Sequence, residues 1–90
     1  MQGKRTTTTK NFSKQFKRLS PKLQRIFAVR LQLFLDSPFD DRLRTHKLSG
    51  KYDGRGSFNV TGDIRAIFDD EADEHVLILV AIGTHSELYG

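Results

Sequence analysis

The sequence predicts an α+β fold, an antiparallel four-stranded sheet with an αα-hairpin packed on one face. Three observations carry that prediction. Short β-rich stretches stand at 6–9, 57–60, 63–68 and 76–82. Apolar residues recur at helical spacing from Phe12 to about Asp36, and turn residues separate the last three strands. The order is strand, helix, helix, strand, strand, strand (β-α-α-β-β-β). It leaves no segment for a second unit, so residues 1–90 are read as a single domain.

Thr6 to Thr9 are four consecutive β-branched residues bounded by Lys4, Arg5 and Lys10. They fit a first strand whose cations discourage edge pairing, and they also fit a loose tail. Phe12, Phe16 and Leu19 then stand at i, i+4 and i+7 with Lys14, Lys17 and Arg18 between them, so a short helix buries one stripe and exposes a basic one. Ser20 is a good N-cap and Pro21 a good first helical residue, because its missing N–H has no partner there anyway. The second helix runs from Pro21 to about Asp36. Leu23, Ile26, Phe27, Leu31 and Phe34 share one side, Val29 and Leu33 widen the stripe, and Ser37-Pro38 ends it.

Residues 37–56 are rich in turn chemistry, with Thr45-His46-Lys47-Leu48 between the turns. Ser57 to Val60 reads as a strand, Thr61-Gly62 as a tight turn and Asp63 to Phe68 as the hairpin partner. An acidic turn, Asp69 to Glu74, leads into Val76 to Ile82, a continuous apolar run typical of a buried strand; His75 within that turn is expected to be solvated. Gly83 is expected to let the chain leave the sheet at unusual φ, carrying His85 and Tyr89 into a terminal loop.

Composition narrows the partners. No cysteine is present, which removes disulfides and thiolate metal sites and suits a reducing compartment. The N-terminal cations are followed by no apolar segment, and no stretch approaches a membrane span, so a cytoplasmic protein without membrane contact is expected. The net charge of +4 divides unevenly: residues 1–50 carry twelve Lys or Arg against three acids, and residues 51–90 carry three against eight. A basic half of this density matches a polyphosphate partner, and it also matches an ordinary solvated helix face.

Strand alternation puts Asp63, Arg65 and Ile67 on one side of the sheet and Ile64, Ala66 and Phe68 on the other. With helices over Ile64, the polar side is open. Asn59 lies across the turn, and His46 and His85 approach from loops. Cleaving RNA without a metal needs a base for the 2′-hydroxyl proton, a cation for the phosphorane charge and an acid for the leaving 5′-oxygen. Arg65 has the fork that fits phosphate oxygens, Asp63 or a histidine can be the base, and His85 or His46 the acid. Tyr89 can stack on a base or donate to phosphate. The bland alternative is an ordinary Asp63–Arg65 surface pair, worth under about 1 kcal/mol. Three scattered histidines lack metal-ligand spacing, so neither metal nor cofactor is expected.

Thr45-His46-Lys47-Leu48-Ser49-Gly50, Gly62-Asp63-Ile64-Arg65-Ala66-Ile67-Phe68 and Gly83-Thr84-His85-Ser86-Glu87-Leu88-Tyr89-Gly90, in this order and spacing, resemble the RelE/ParE superfamily of type II toxins. The YafQ-like branch is the nearest in pattern. The likeness runs from about Phe12 to Gly90 and is specific in the second half. It implies a ribosome-dependent mRNA endonuclease, with acid/base and phosphate-handling roles for His46, Asp63 and His85, and with Tyr89 where that branch often has Phe. Arg65 matches an arginine of many RelE-type toxins that stabilises the scissile phosphate. Asn59 departs from the pattern, standing where YafQ has a second-strand histidine, and an amide cannot shuttle protons.

The resemblance also implies partners: a cognate antitoxin whose disordered segment folds over the toxin, the ribosome, and mRNA. Lys14, Lys17, Arg18, Lys22, Arg25 and Arg30 would then dock ribosomal RNA, while Arg44, Lys47, Lys51 and Arg55 track the mRNA backbone. Two alternatives share the fold: a ParE-like inhibitor of DNA gyrase, and a toxin-fold binding module without catalysis.

Overall fold

The computed structural model describes residues 4–71 and 73–90. The start of the N-terminal stretch, residues 1–3, lies outside them. The chain runs β1 (Arg5–Thr8), α1 (Lys10–Lys17), α2 (Pro21–Asp36), β2 (His46–Lys47), β3 (Gly56–Asn59), β4 (Ile64–Asp69), β5 (Val76–Thr84) and α3 (His85–Tyr89), with 3-10 turns at Asp41–Leu43 and Gly50–Tyr52. Among the described residues no helix is long and apolar enough to cross a membrane.

Both helix starts follow from their caps. Thr9 Oγ1 accepts the Phe12 N–H at 3.1 Å, and Ser20 Oγ accepts the Leu23 N–H at 3.2 Å with Pro21 next in line. α1 and α2 cover one sheet face, where Phe12, Phe27 and Phe34 meet Phe58, Ile64, Ala66, Phe68, Leu77, Leu79 and Ile82. The Phe34 ring stacks on Phe58 at 4.6 Å and tilts against Phe68 at 4.7 Å. Removing each such ring from water contributes about 1.5–3 kcal/mol, which makes this layer the principal core. Gly56 belongs to it by omission: a Cβ there would stand 2.5 Å from the Phe68 ring.

Three expectations are corrected. The described sheet has five strands rather than four, in the order β1-β5-β4-β3-β2, and it is mixed rather than antiparallel. β1 lies parallel to β5, with Arg5 opposite Val76 and Thr8 opposite Leu79. The helical hairpin carries the chain from one sheet edge to the other, and the meander from β2 brings β5 back beside β1 in the same direction. β2 is two residues long, too short to show a period. The second correction concerns Val29, which is 69 % exposed, because it sits off the stripe shared by Phe27 and Phe34. The third concerns the side of the sheet away from α1 and α2, which is not open along its length. α3 folds back over it, burying Leu88 against Ile67 and Ala81, with Leu48, Tyr52, Val80 and Tyr89 packed around them.

Candidate active site

The β3–β4 turn sets Asp63 in place. Thr61 Oγ1 accepts the N–H groups of Asp63 at 3.2 Å and Ile64 at 2.9 Å, and the Val60 N–H donates to the Ile64 carbonyl at 2.8 Å. Asp63 is therefore exposed at the mouth of the hairpin, one residue before β4. Within the sheet Asn59 faces Arg65, and Arg65 faces Gly83, so these three form one cross-strand row.

His85 does not stand in a loop. It opens α3, which Thr84 caps: Thr84 Oγ1 accepts the Glu87 N–H at 3.1 Å, and the Glu87 carboxylate accepts the Thr84 N–H at 2.8 Å. The bond from the Thr84 backbone holds the Glu87 carboxyl below the usual glutamate range. Thr84-x-x-Glu87 is a capping-box pattern, a signal for this helix that was present in the sequence. Gly83 remains inside β5, and its φ is not positive. Its role is close approach, since a Cβ would lie 3.1 Å from Glu87 Oε1.

Asp63, Arg65 and His85 line one cavity of about 340 Å³, together with Gly62, Thr84 and Ser86. Asp63 and Arg65 make no ion pair with each other, so the guanidinium is not neutralised by its neighbour. Arg65 Nε is buried without a hydrogen-bond partner, as are Arg55 Nε and Ser57 Oγ. An unsatisfied buried polar atom of this kind costs about 1–3 kcal/mol.

His46 is not brought into this cavity. It sits on β2, paired with Ser57, and three strand spacings of about 4.8 Å separate β2 from β5. His46 lines a different cavity of about 110 Å³ with Phe34, Pro38, Phe39, Thr45, Lys47, Phe68 and Asp70. Its Nδ1 lies 2.8 Å from the Arg44 carbonyl, which can only accept, so Nδ1 carries the proton in this bond and Nε2 is left free.

The remaining basic residues divide. Lys47 is engaged by Glu71 at 2.8 Å and Asp70 at 3.7 Å, and the bond to Glu71 raises its affinity for the proton. Lys51 Nζ donates to the Leu88 carbonyl at 2.9 Å. Both therefore have acceptors within the protein. Arg55 and Arg65 have no carboxylate partner among the described residues. The Tyr89 ring lies 4.7 Å from the His85 imidazole and meets Tyr52 edge-on at 5.4 Å, so it backs His85. Tyr52 was not expected beside Tyr89, and its position within a loop-rich stretch carried no periodic signal. His75 is exposed, as its place in the acidic turn implied.

Residues 4–90 match the profile of a family described as a bacterial toxin of type II toxin-antitoxin system, YafQ. No curated protein matches the chain. Among solved structures, YafQ from E. coli strain BL21(DE3) superposes with a TM-score of 0.80 at 19% identity, covering 97% of this chain and 99% of that one. The E. coli DinJ-YafQ toxin-antitoxin complex gives 0.78 at 18% identity over 98% and 99%. The archaeal RelE-RelB complex from Pyrococcus horikoshii OT3 gives 0.71 at 19% identity over 91% and 94%. At these identities the structural likeness is one of fold.

Proposed function

Because this chain belongs to the YafQ family of bacterial toxins from type II toxin-antitoxin systems, we propose that it is a ribosome-dependent endoribonuclease that cleaves mRNA by acid/base chemistry. The observation that carries the reading is the single cavity lined by Asp63, Arg65 and His85. An exposed carboxylate, a guanidinium without a neutralising partner and an imidazole meet there. These are the groups needed when a 2′-hydroxyl attacks its neighbouring phosphorus.

In this reading Asp63 takes the 2′-hydroxyl proton as the 2′-oxygen bonds to phosphorus. Arg65 stabilises the added charge on the non-bridging oxygens with its fork. The bond from phosphorus to the 5′-oxygen then breaks, and His85 gives that oxygen a proton. The products are a 2′,3′-cyclic phosphate and a 5′-hydroxyl. His46, at the far sheet edge, is assigned to the flank of the substrate together with Arg55, and Asn59, opposite Arg65 on the next strand, is assigned to substrate binding without proton exchange.

The partners follow. DinJ and RelB are complexed with the YafQ and RelE toxins of matching fold, and a cognate antitoxin is proposed for this chain in the same sense. The basic faces of α1 and α2 are assigned to ribosomal RNA: Lys14, Lys17, Arg18, Lys22, Arg25 and Arg30 make no ion pair among the described residues. Action on ribosomes places the activity in the cytoplasm. Primer extension on a defined mRNA, with and without translating ribosomes, tests the reading. New 3′ ends only with ribosomes are expected. Intact mRNA under both conditions, or inhibited gyrase supercoiling with translation unaffected, would contradict it.

A further inference from the structure

α3 is five residues long, too short to be stable as an isolated helix, yet it carries His85 at its first turn and Tyr89 at its last. Something outside the helix must fix it. Leu88, 1 % exposed, anchors its inner side to Ile67 and Ala81. Its open end is closed by the 3-10 turn Gly50–Tyr52: Lys51 Nζ donates to the Leu88 carbonyl at 2.9 Å and Tyr52 Oη donates to the same oxygen at 3.1 Å. That carbonyl is one of the last in the helix, where no further backbone N–H is available and a cation is favoured. The same Tyr52 ring meets Tyr89 edge-on, and Tyr89 lies against the imidazole of His85. A continuous path of contacts therefore leads from the 50–52 turn to His85.

We propose that Tyr52, assisted by Lys51, is a positioning residue for the reaction: by gripping the Leu88 carbonyl and bracing Tyr89 it fixes the imidazole of His85 in the cavity beside Asp63 and Arg65. Tyr52 is not in that cavity and touches neither of those residues by hydrogen bond. Its action is through α3 alone. The inference rests on the role given to His85 above. It adds that the 50–52 turn sets the rate while leaving substrate affinity to the basic residues outside that turn.

The test uses the purified chain in two measurements, with Tyr52→Phe and Lys51→Met made singly and together. In the first, NMR records the carbon-bound ring protons of His85 in the free protein, which the adjacent Tyr89 ring displaces by its ring current. The double variant is expected to move them toward the position of an unstacked histidine, with Tyr52→Phe moving them part of the way. In the second, cleavage is followed on programmed ribosomes. Misplacing a catalytic group by a fraction of an ångström lowers kcat by about tenfold while KM stays within about twofold.

Unmoved His85 protons in the double variant would overturn the proposal, as would displaced protons with an unchanged kcat. Lys51→Met keeps the Tyr52 hydroxyl on the Leu88 carbonyl, so a well-folded variant remains even where the double one is unstable. A smaller displacement with a smaller fall in kcat is expected of it, and the absence of both changes would overturn the proposal. His85→Ala separates this from the wider reading. Full cleavage by that variant sinks the endoribonuclease assignment of His85 itself. Lost cleavage by it, with normal cleavage by the double variant, sinks only the positioning role.

Discussion

Arg65 shows how much a single side chain decides. Its Nε is buried without a partner, and the nearest acidic residue of its own hairpin, Asp63, does not pair with it. A planar fork donates two parallel hydrogen bonds to a pair of phosphate oxygens, a match an ammonium does not have, so Arg65→Lys keeps the charge and loses the geometry. A fall in cleavage of about tenfold or more is expected from this variant, with circular dichroism unchanged. Equal rates for Lys and Arg would remove the bidentate role. At Gly56 the constraint is steric. Gly56→Ala pushes a methyl group into the Phe68 ring, and a loss of about 1–3 kcal/mol is expected in denaturant unfolding. Neither effect was visible in composition. Arg65 was legible from strand alternation, whereas the close approaches at Gly56 and Gly83 depend on which rings and carboxylates fold over them.

At the scale of elements, α3 is the least autonomous piece and the one that carries His85. Its cap depends on the Glu87 carboxylate, which is held below the usual range by the Thr84 N–H. A lowered pKa means that folding favours the ionised form. The contribution is whole above the ordinary glutamate value of 4.5 and fades as pH falls through the lowered one. Hydrogen exchange at the amide of Glu87 is therefore expected to accelerate relative to the sheet only in acid, and a Glu87→Gln variant should lose that dependence. Thr84→Ala removes the other half of the cap and is expected to loosen α3 by about 1 kcal/mol. α2 was readable because stripe, cap and proline agreed, and α1 from its stripe alone, its N-cap Thr9 having been read as strand. α3 was missed because five residues give no stripe, although Thr84 and Glu87 had the capping spacing.

For the whole molecule, the helical hairpin both covers the core face and sends the chain to the opposite sheet edge. β1 thereby ends up beside β5, and the cavity lined by Asp63, Arg65 and His85 forms where β4, β5 and α3 meet. Sequence patterns gave the helical layer over one face and the β3–β4 hairpin, but not the cover of α3 on the other. They could not give the parallel pairing of β1, which depends on where a long crossover lands. The same limit explains His46: two loop histidines near strand ends looked convergent, and the register sets them three strands apart. The charge asymmetry also acts at this scale. Ribosome binding through the α1 and α2 cations is expected to weaken steeply with salt, and replacing Lys14, Lys17 and Lys22 by Ala should flatten the slope of log affinity against log salt by about two to three units. An unchanged slope would move the contact to another face.

The assignment of the Asp63, Arg65 and His85 cavity as the centre of RNA cleavage is tested most directly by one rate. Single-turnover cleavage of mRNA on a programmed ribosome is measured for the parent chain and for His85→Ala at saturating toxin. The imidazole's loss is expected to slow the step by about a hundredfold or more while ribosome binding and the circular dichroism spectrum are retained. Cleavage at the parent rate by the folded variant would contradict the account.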